Sequence, residues 1–529
     1  MAQKVKQRRD LGWSPWPKDP LHKRTISAFG SRIANLHNYH QKLRRLRPVM
    51  PIGARMVGSI GLSTLAGLPL PDVARTALGN RADDMWRGSI EDLQGFFFDR
   101  PWLFESTVHA ISLAAGMGAW AARGLLGVLD ATTLGDRKRR DALRDAIPSS
   151  GYRAFMAGYM IVATAVGAFR GGSVHVRKIV EDGTYLPVKP TPPFTRSKNT
   201  EGLWQTDSPI GGEIRHFGAS TSLSACIADI DEMYWSPSAG MIVKIMKVGT
   251  GRERRWVVVV PGTDHFGLQT TANPADTESN VREMLGLRSA ARMGVERAIV
   301  AAFDEAGIPP SRRKAEKILV VGHSQGGLTA HALAADPRSQ IRVTHVLTVG
   351  SPSRSIPIRE CVWSVSVEHV QDMIPWMDGV TESRIDDRVL LRRKLEKPKT
   401  GPLYYAHDTG TYLETVKLIE MDARRQITEA ARGGHPLDHI SREVLELLTM
   451  LPMPAEETHV TYYEIAQEVV DNPAERRNTK RRIRLVPDPD EFIADLTRQL
   501  SFDPYIPPDD TKNRPKDNDG ADTSGGNQP

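Results

Sequence analysis

Cysteine is nearly absent from this chain. Two occur in 529 residues, Cys226 and Cys361, far apart and inside otherwise apolar or strand-like segments. A disulfide framework is excluded as the basis of the fold, and a reducing compartment suits the composition. The sequence also lacks any Cys/His cluster with metal-ligand spacing and any Gly-rich loop that would cradle a phosphate at a helix start. No cofactor and no metal are expected. A secretory leader is missing too, because residues 1–20 are charged and have no apolar core. The expectation is a cytoplasmic protein, peripheral to a membrane at most. Three apolar stretches stand out at 56–70, 108–134 and 154–169. The first holds several glycines, and Arg123 and Asp130 interrupt the second. The third is sixteen residues without a charge, whereas a membrane span needs about 20. These stretches read as buried or interface-lying helices.

The charge is uneven. Residues 1–50 carry twelve Lys and Arg against two Asp, a surplus of ten that exceeds the whole chain's +7, so the remainder sums to −3. The basic character belongs to the N-terminal arm, densest at Lys42-Leu43-Arg44-Arg45-Leu46-Arg47, with Trp13 and Trp16 as amphipathic anchors. Such an arm suits an anionic membrane surface or an acidic partner. No nucleic-acid-binding motif accompanies it, and no nucleic-acid partner is expected.

The run Ile318-Leu319-Val320-Val321-Gly322-His323-Ser324-Gln325-Gly326-Gly327 carries the chemistry. An apolar strand meets Gly-x-Ser-x-Gly, and an Ala/Leu-rich helix follows. That is the pattern of a nucleophile elbow. Gly322 and Gly326 are the elbow glycines, needed where the turn is too tight for a side chain. The turn lifts the Ser324 hydroxyl above the sheet, at a helix N-terminus that favours developing negative charge.

A serine needs a base, and the base needs an orienting acid. Downstream, strands are expected at 343–350 and 361–370. Asp372 lies just past the second, in Gln371-Asp372-Met373-Ile374-Pro375, and is the candidate acid, with Asp378, Asp386 and Asp387 as fallbacks. His407, in a polar turn before a helical stretch from Tyr412 to Arg425, is the candidate base. His435 and His439 are its runners-up, and His459 ranks below them. His323 and His369 adjoin these positions and are expected to serve packing or orientation. The oxyanion of acyl transfer needs two donors. The Gln325 amide is one. The strand Trp256–Val260 runs into Pro261-Gly262-Thr263, and Thr263 is the second.

On these five motifs, in this order, residues 241–415 resemble the α/β-hydrolase superfamily and within it the class 3 lipases. The counterparts are Pro261-Gly262-Thr263, the Gly322–Gly327 elbow, Gly350-Ser351-Pro352, Asp372-Met373-Ile374-Pro375 and His407. Pro261 stands where that family has Arg, and Gln325 where it has Leu. The resemblance implies an α/β-hydrolase-like fold and a lipid-ester substrate.

Alternating strands and helices predict an α/β protein with a doubly wound, mostly parallel sheet and an N-terminal, mainly helical region. The boundaries read as follows: a basic arm at 1–50, a helical apolar-rich lid or docking domain at 51–180, and an irregular linker at 181–235. The catalytic domain follows at 236–455, then a helical extension at 456–501 and a disordered tail at 502–529. Within the catalytic domain, a hairpin is expected across Gly249-Thr250-Gly251, and one long helix from Thr277 to Ala306. The function expected is ester hydrolysis by a serine enzyme. The rival is a membrane-associated interaction protein on an inactive hydrolase scaffold.

Overall fold

The computed structural model describes most of residues 151–469, apart from 166–167, 182–183, 186–217, 235–239, 265–266, 268, 360, 381–387, 397–405 and 434–435; before these it describes 8–10 and scattered positions from 55 to 117. The architecture is α/β, a mostly parallel mixed sheet with helices on both faces.

Eight strands carry the sheet. They are β1 (Gly171–Glu181), β2 (Met241–Val248), β3 (Arg255–Val260), β4 (Lys317–His323), β5 (His345–Val349), β6 (Trp363–His369), β7 (Val389–Arg393) and β8 (Thr458–Val469). Their spatial order is β7-β6-β5-β4-β3-β2-β8-β1. The run from β3 to β7 is parallel, and β2, β8 and β1 continue it antiparallel. Two ribbons, Arg8–Asp10 and Thr184–Tyr185, lie along the outer edges. The β2–β3 hairpin pairs Lys247 with Trp256 and Val248 with Arg255, as the turn residues predict.

Seven helices concern the argument: α1 (Gly151–Ala165), α2 (Leu223–Tyr234), α3 (Thr277–Met284), α4 (Ala290–Glu305), α5 (Gln325–Ala335), α6 (Thr409–Ala431) and α7 (His439–Leu448). The central strands are β-branched and buried on both faces, as parallel strands under two helical layers must be. Successive residues point to opposite faces. Val257, Val259, Leu319 and Val321 meet α2, α6 and α7 through Ile230, Val416 and Val444. Trp256, Val258, Ile318 and Val320 meet α4 and α5 through Ile299, Phe303 and Leu333. Helix α1 occupies the third apolar stretch and packs through Met156 and Met160 toward Met284, Leu285 and Leu328.

Four expectations need correction. The long helix over 277–306 is two helices. Gly286 takes φ +77°, its N–H donates to the Glu283 carbonyl and that of Leu287 to the Arg282 carbonyl, which closes α3. The Ser289 side chain then accepts from the Arg292 N–H and opens α4. The 181–235 linker contains α2, a buried helix whose Leu223 and Ser224 amides donate to the Glu420 carboxylate of α6. Strand β1 falls where the helical unit at 51–180 ends. In the region expected as a helical extension, residues 458–469 form β8, inserted between β2 and β1. The sheet therefore extends past both limits of the catalytic domain set at 236–455. Strand β7 falls where no strand is expected. The basic arm beyond residues 8–10, and everything after 469, lie outside the described residues.

Candidate active site

The site lies at the carboxyl ends of β3, β4 and β6, where open α/β sheets bind their ligands. Ser324 joins β4 to α5 with φ 53° and ψ −118°. A non-glycine residue there costs roughly 1–3 kcal/mol and persists only when its surroundings enforce it. They do. The Ser324 N–H donates to the Val349 carbonyl of β5 at 2.9 Å, and its carbonyl accepts from the Leu328 N–H at 3.1 Å. A side chain at Gly322 would run into the Gly326 backbone, and one at Gly326 into the carbonyls of Val260 and Pro261. Both elbow glycines are thus required by close backbone approach.

Ser324 Oγ stands 3.1 Å from His407 Nε2, and His407 Nδ1 stands 2.8 Å from Asp372 Oδ2. All three side chains are buried. A carboxylate only accepts, so Nδ1 carries the proton, and the Nε2 lone pair faces the serine hydroxyl. Asp372 follows β6 in a tight turn, its N–H donating to the His369 carbonyl at 3.0 Å. Asp372 Oδ1 accepts from the Ile374 N–H at 3.0 Å, and Oδ2 accepts a second bond from the Tyr412 hydroxyl at 2.7 Å. Sequence reading missed Tyr412. It lies in the first turn of α6, five residues after His407, and its ring stacks on His369 at 3.9 Å.

The fallback residues lie elsewhere. Asp378 pairs with Arg354 at 2.9 Å, His459 reaches Glu181 at 3.2 Å, and His439 faces Glu443 at 3.8 Å. Asp386, Asp387 and His435 are outside the described residues.

Gln325 follows the serine directly, and Gly262, the residue before Thr263, abuts it. A Cβ added to Gly262 would stand 2.7 Å from Ser324 Cβ, so the end of β3 touches the elbow. Asn280 Nδ2 donates to Thr263 Oγ1 at 2.9 Å, which occupies an oxygen lone pair and leaves the hydroxyl hydrogen to donate. Gln325 is the first residue of α5, where backbone amides have no partner inside the helix. Its side chain has another task. Nε2 donates to the carbonyls of Pro274 and Asp276, both at 3.3 Å, tying the elbow to the segment before α3.

Burial sets the protonation states around the site. It pushes the His323 imidazole well below its usual range, helped by the neighbouring His407, so His323 is neutral. It pushes the Tyr412 phenol up, with Asp372 adding to the effect. Asp408, beside His407 in sequence, is raised to about 7 by burial first and by Asp231 second. Tyr234 reaches the site from α2. Its hydroxyl accepts from the Gly262 N–H at 2.6 Å and lies 2.9 Å from His323 Nδ1.

The arrangement can take a proton from a hydroxyl, hold the resulting imidazolium against a carboxylate, and offer hydrogen-bond donors beside the serine. Among the described residues, no group of three His, Cys, Asp or Glu is placed to hold a metal ion, and no helix is long and apolar enough to cross a membrane. Compared with known proteins, the chain matches no family model, no curated protein and no solved structure.

Proposed function

We propose that the chain is a serine hydrolase that cleaves carboxylic esters, with lipid esters as its substrates. One observation carries the reading: a continuous hydrogen-bonded relay runs from Asp372 through His407 to a serine held in a strained elbow. Structural roles need no such alignment of a nucleophile, a base and an orienting acid. Ser324 Oγ attacks the acyl carbon while His407 Nε2 takes its proton. The carbonyl oxygen, now negative, accepts from the Gln325 amide and from Thr263. His407 returns the proton to the leaving alkoxide as the carbon–oxygen bond breaks. Water then attacks the acyl-serine as His407 takes its proton, and His407 returns that proton to Ser324 Oγ as the acyl–oxygen bond breaks and the acid product leaves.

The lipid assignment is supported by the motif resemblance to class 3 lipases. It is also supported by the exposed apolar side chains Leu113, Met117, Phe155 and Val162 on the helices before the sheet. The basic arm would add affinity for an anionic membrane surface.

Fluorophosphonate labelling tests the reading. The full chain is expected to label, and Ser324→Ala is expected to abolish labelling and ester turnover. Folded protein that fails to label with lipid present would reject the enzyme and favour an interaction protein built on this scaffold.

A further inference from the structure

The geometry points to a clamp, in which the imidazoles of His323 and His369 grip the carbonyls of His407 and Ala406 and so set the position of the base. This inference rests on the serine-hydrolase reading and adds two positioning residues to it.

Two neighbouring carbonyls of the base loop each meet a buried histidine ring. His323 Nε2 lies 3.0 Å from the His407 carbonyl oxygen, and His369 Nδ1 lies 2.7 Å from that of Ala406. A carbonyl only accepts, so each contact assigns a tautomer. His323 carries its hydrogen on Nε2 and His369 on Nδ1. The opposite ring nitrogens face hydroxyls. The Tyr234 hydroxyl is 2.9 Å from His323 Nδ1, and the Thr415 hydroxyl, which also lies 3.0 Å from the Thr411 carbonyl, is 2.8 Å from His369 Nε2. Arg393 Nη1 in turn donates to the Thr415 oxygen at 2.7 Å. Each ring is held at both of its nitrogens, and each is anchored in the sheet as the last residue of its strand, β4 or β6.

The clamp joins parts of the site that the chain keeps apart. His323 precedes the nucleophile and holds the base. Through Tyr234, it also takes up the Gly262 amide at the end of β3, so one chain of hydrogen bonds links the oxyanion side to the base loop. His369 precedes the acid by three residues and stacks on Tyr412, which bonds the acid. A displacement of about 1 Å in such a group costs roughly 100-fold in rate.

The donor positions make the test specific. A glutamine amide nitrogen falls where histidine Nε2 was, and an asparagine nitrogen where Nδ1 was. His323→Gln and His369→Asn therefore keep the grip, whereas His323→Leu and His369→Leu lose it. With a chromogenic ester, the amide variants are expected within a few fold of the parent. The leucine variants are expected to lose roughly 10–100-fold in kcat, with KM unchanged and the labelling rate of Ser324 falling in parallel. Nitrogen NMR of histidine-labelled wild type is expected to show the Nε2–H tautomer for His323 and Nδ1–H for His369, a measurement that needs no variant to fold. Leucine variants with parental kcat, amide variants as impaired as leucine ones, or either opposite tautomer would overturn the clamp. Failure of the wild type itself to label would instead overturn the hydrolase reading.

Discussion

Asp408 is an unusual neighbour for the proposed base, His407. It is half-buried, it caps α6 by accepting from the Gly410 and Thr411 amides, and its pKa is raised to about 7. A carboxyl with a raised pKa binds its proton more tightly in the folded chain than in the unfolded one. Its contribution to stability is thus full below the ordinary value of 3.8 and is lost as pH rises through about 7. Asparagine keeps the cap and carries no charge. Asp408→Asn is therefore expected to gain on the parent between pH 5 and 8.5, by up to roughly 3 kcal/mol. Denaturant midpoints at both pH values measure this, and a gap that does not widen would show that Asp408 is not charged at a cost. At this scale the sequence is legible where chemistry uses short motifs. Ser324, Asp372 and His407 could be proposed because each occupies a recognisable turn after a strand. Tyr234 and Tyr412 could not, since a hydroxyl that serves a site across 89 or 40 residues leaves no local pattern.

The elements show the same division. The strands from β3 to β6 and helix α5 were readable from apolar runs bounded by turn residues. Strand β8 was not, because Thr461-Tyr462-Tyr463-Glu464-Ile465-Ala466-Gln467 mixes polar and apolar residues that are all buried. Two of its polar members are held by tertiary partners: Gln467 reaches Asp276 at 2.7 Å, and Glu464 pairs with Arg177. Helix α2 does carry a legible signal, with Leu223, Cys226, Ile227, Ile230 and Met233 at helical spacing. Packing of α4 on β8 reverses a familiar sign. Alanine in place of glycine inside a helix ordinarily stabilises by about 1 kcal/mol. A methyl group at Gly294 of α4 would run into the Ile465 side chain, with the buried strand behind it. Gly294→Ala is expected to destabilise by roughly 1–3 kcal/mol through overpacking. A thermal melt decides, and a raised midpoint would place β8 elsewhere.

At the scale of the molecule, the question is where the folding unit ends. The motifs of the proposed site lie between residues 241 and 415, and a boundary at 455 follows from them. The sheet places it differently. Strand β8 pairs with β2 from Thr458 to Ile465 and with β1 from Thr461 to Val469, so it closes two edges at once. Val460 and Tyr462 enter the core on one face, and Tyr463 and Ile465 enter the core on the other. A chain cut after residue 455 would expose two long hydrogen-bonding edges and open both cores, a state prone to edge-to-edge association. Such a chain is expected to aggregate and to give no fluorophosphonate labelling, although every residue of the proposed relay is present. A chain cut after residue 470 keeps both pairings and is expected to melt cooperatively and to label. Equal behaviour of the two truncations would mean that the relay is held by the parallel half alone, and that β8 and β1 are an addition to the site rather than part of its support.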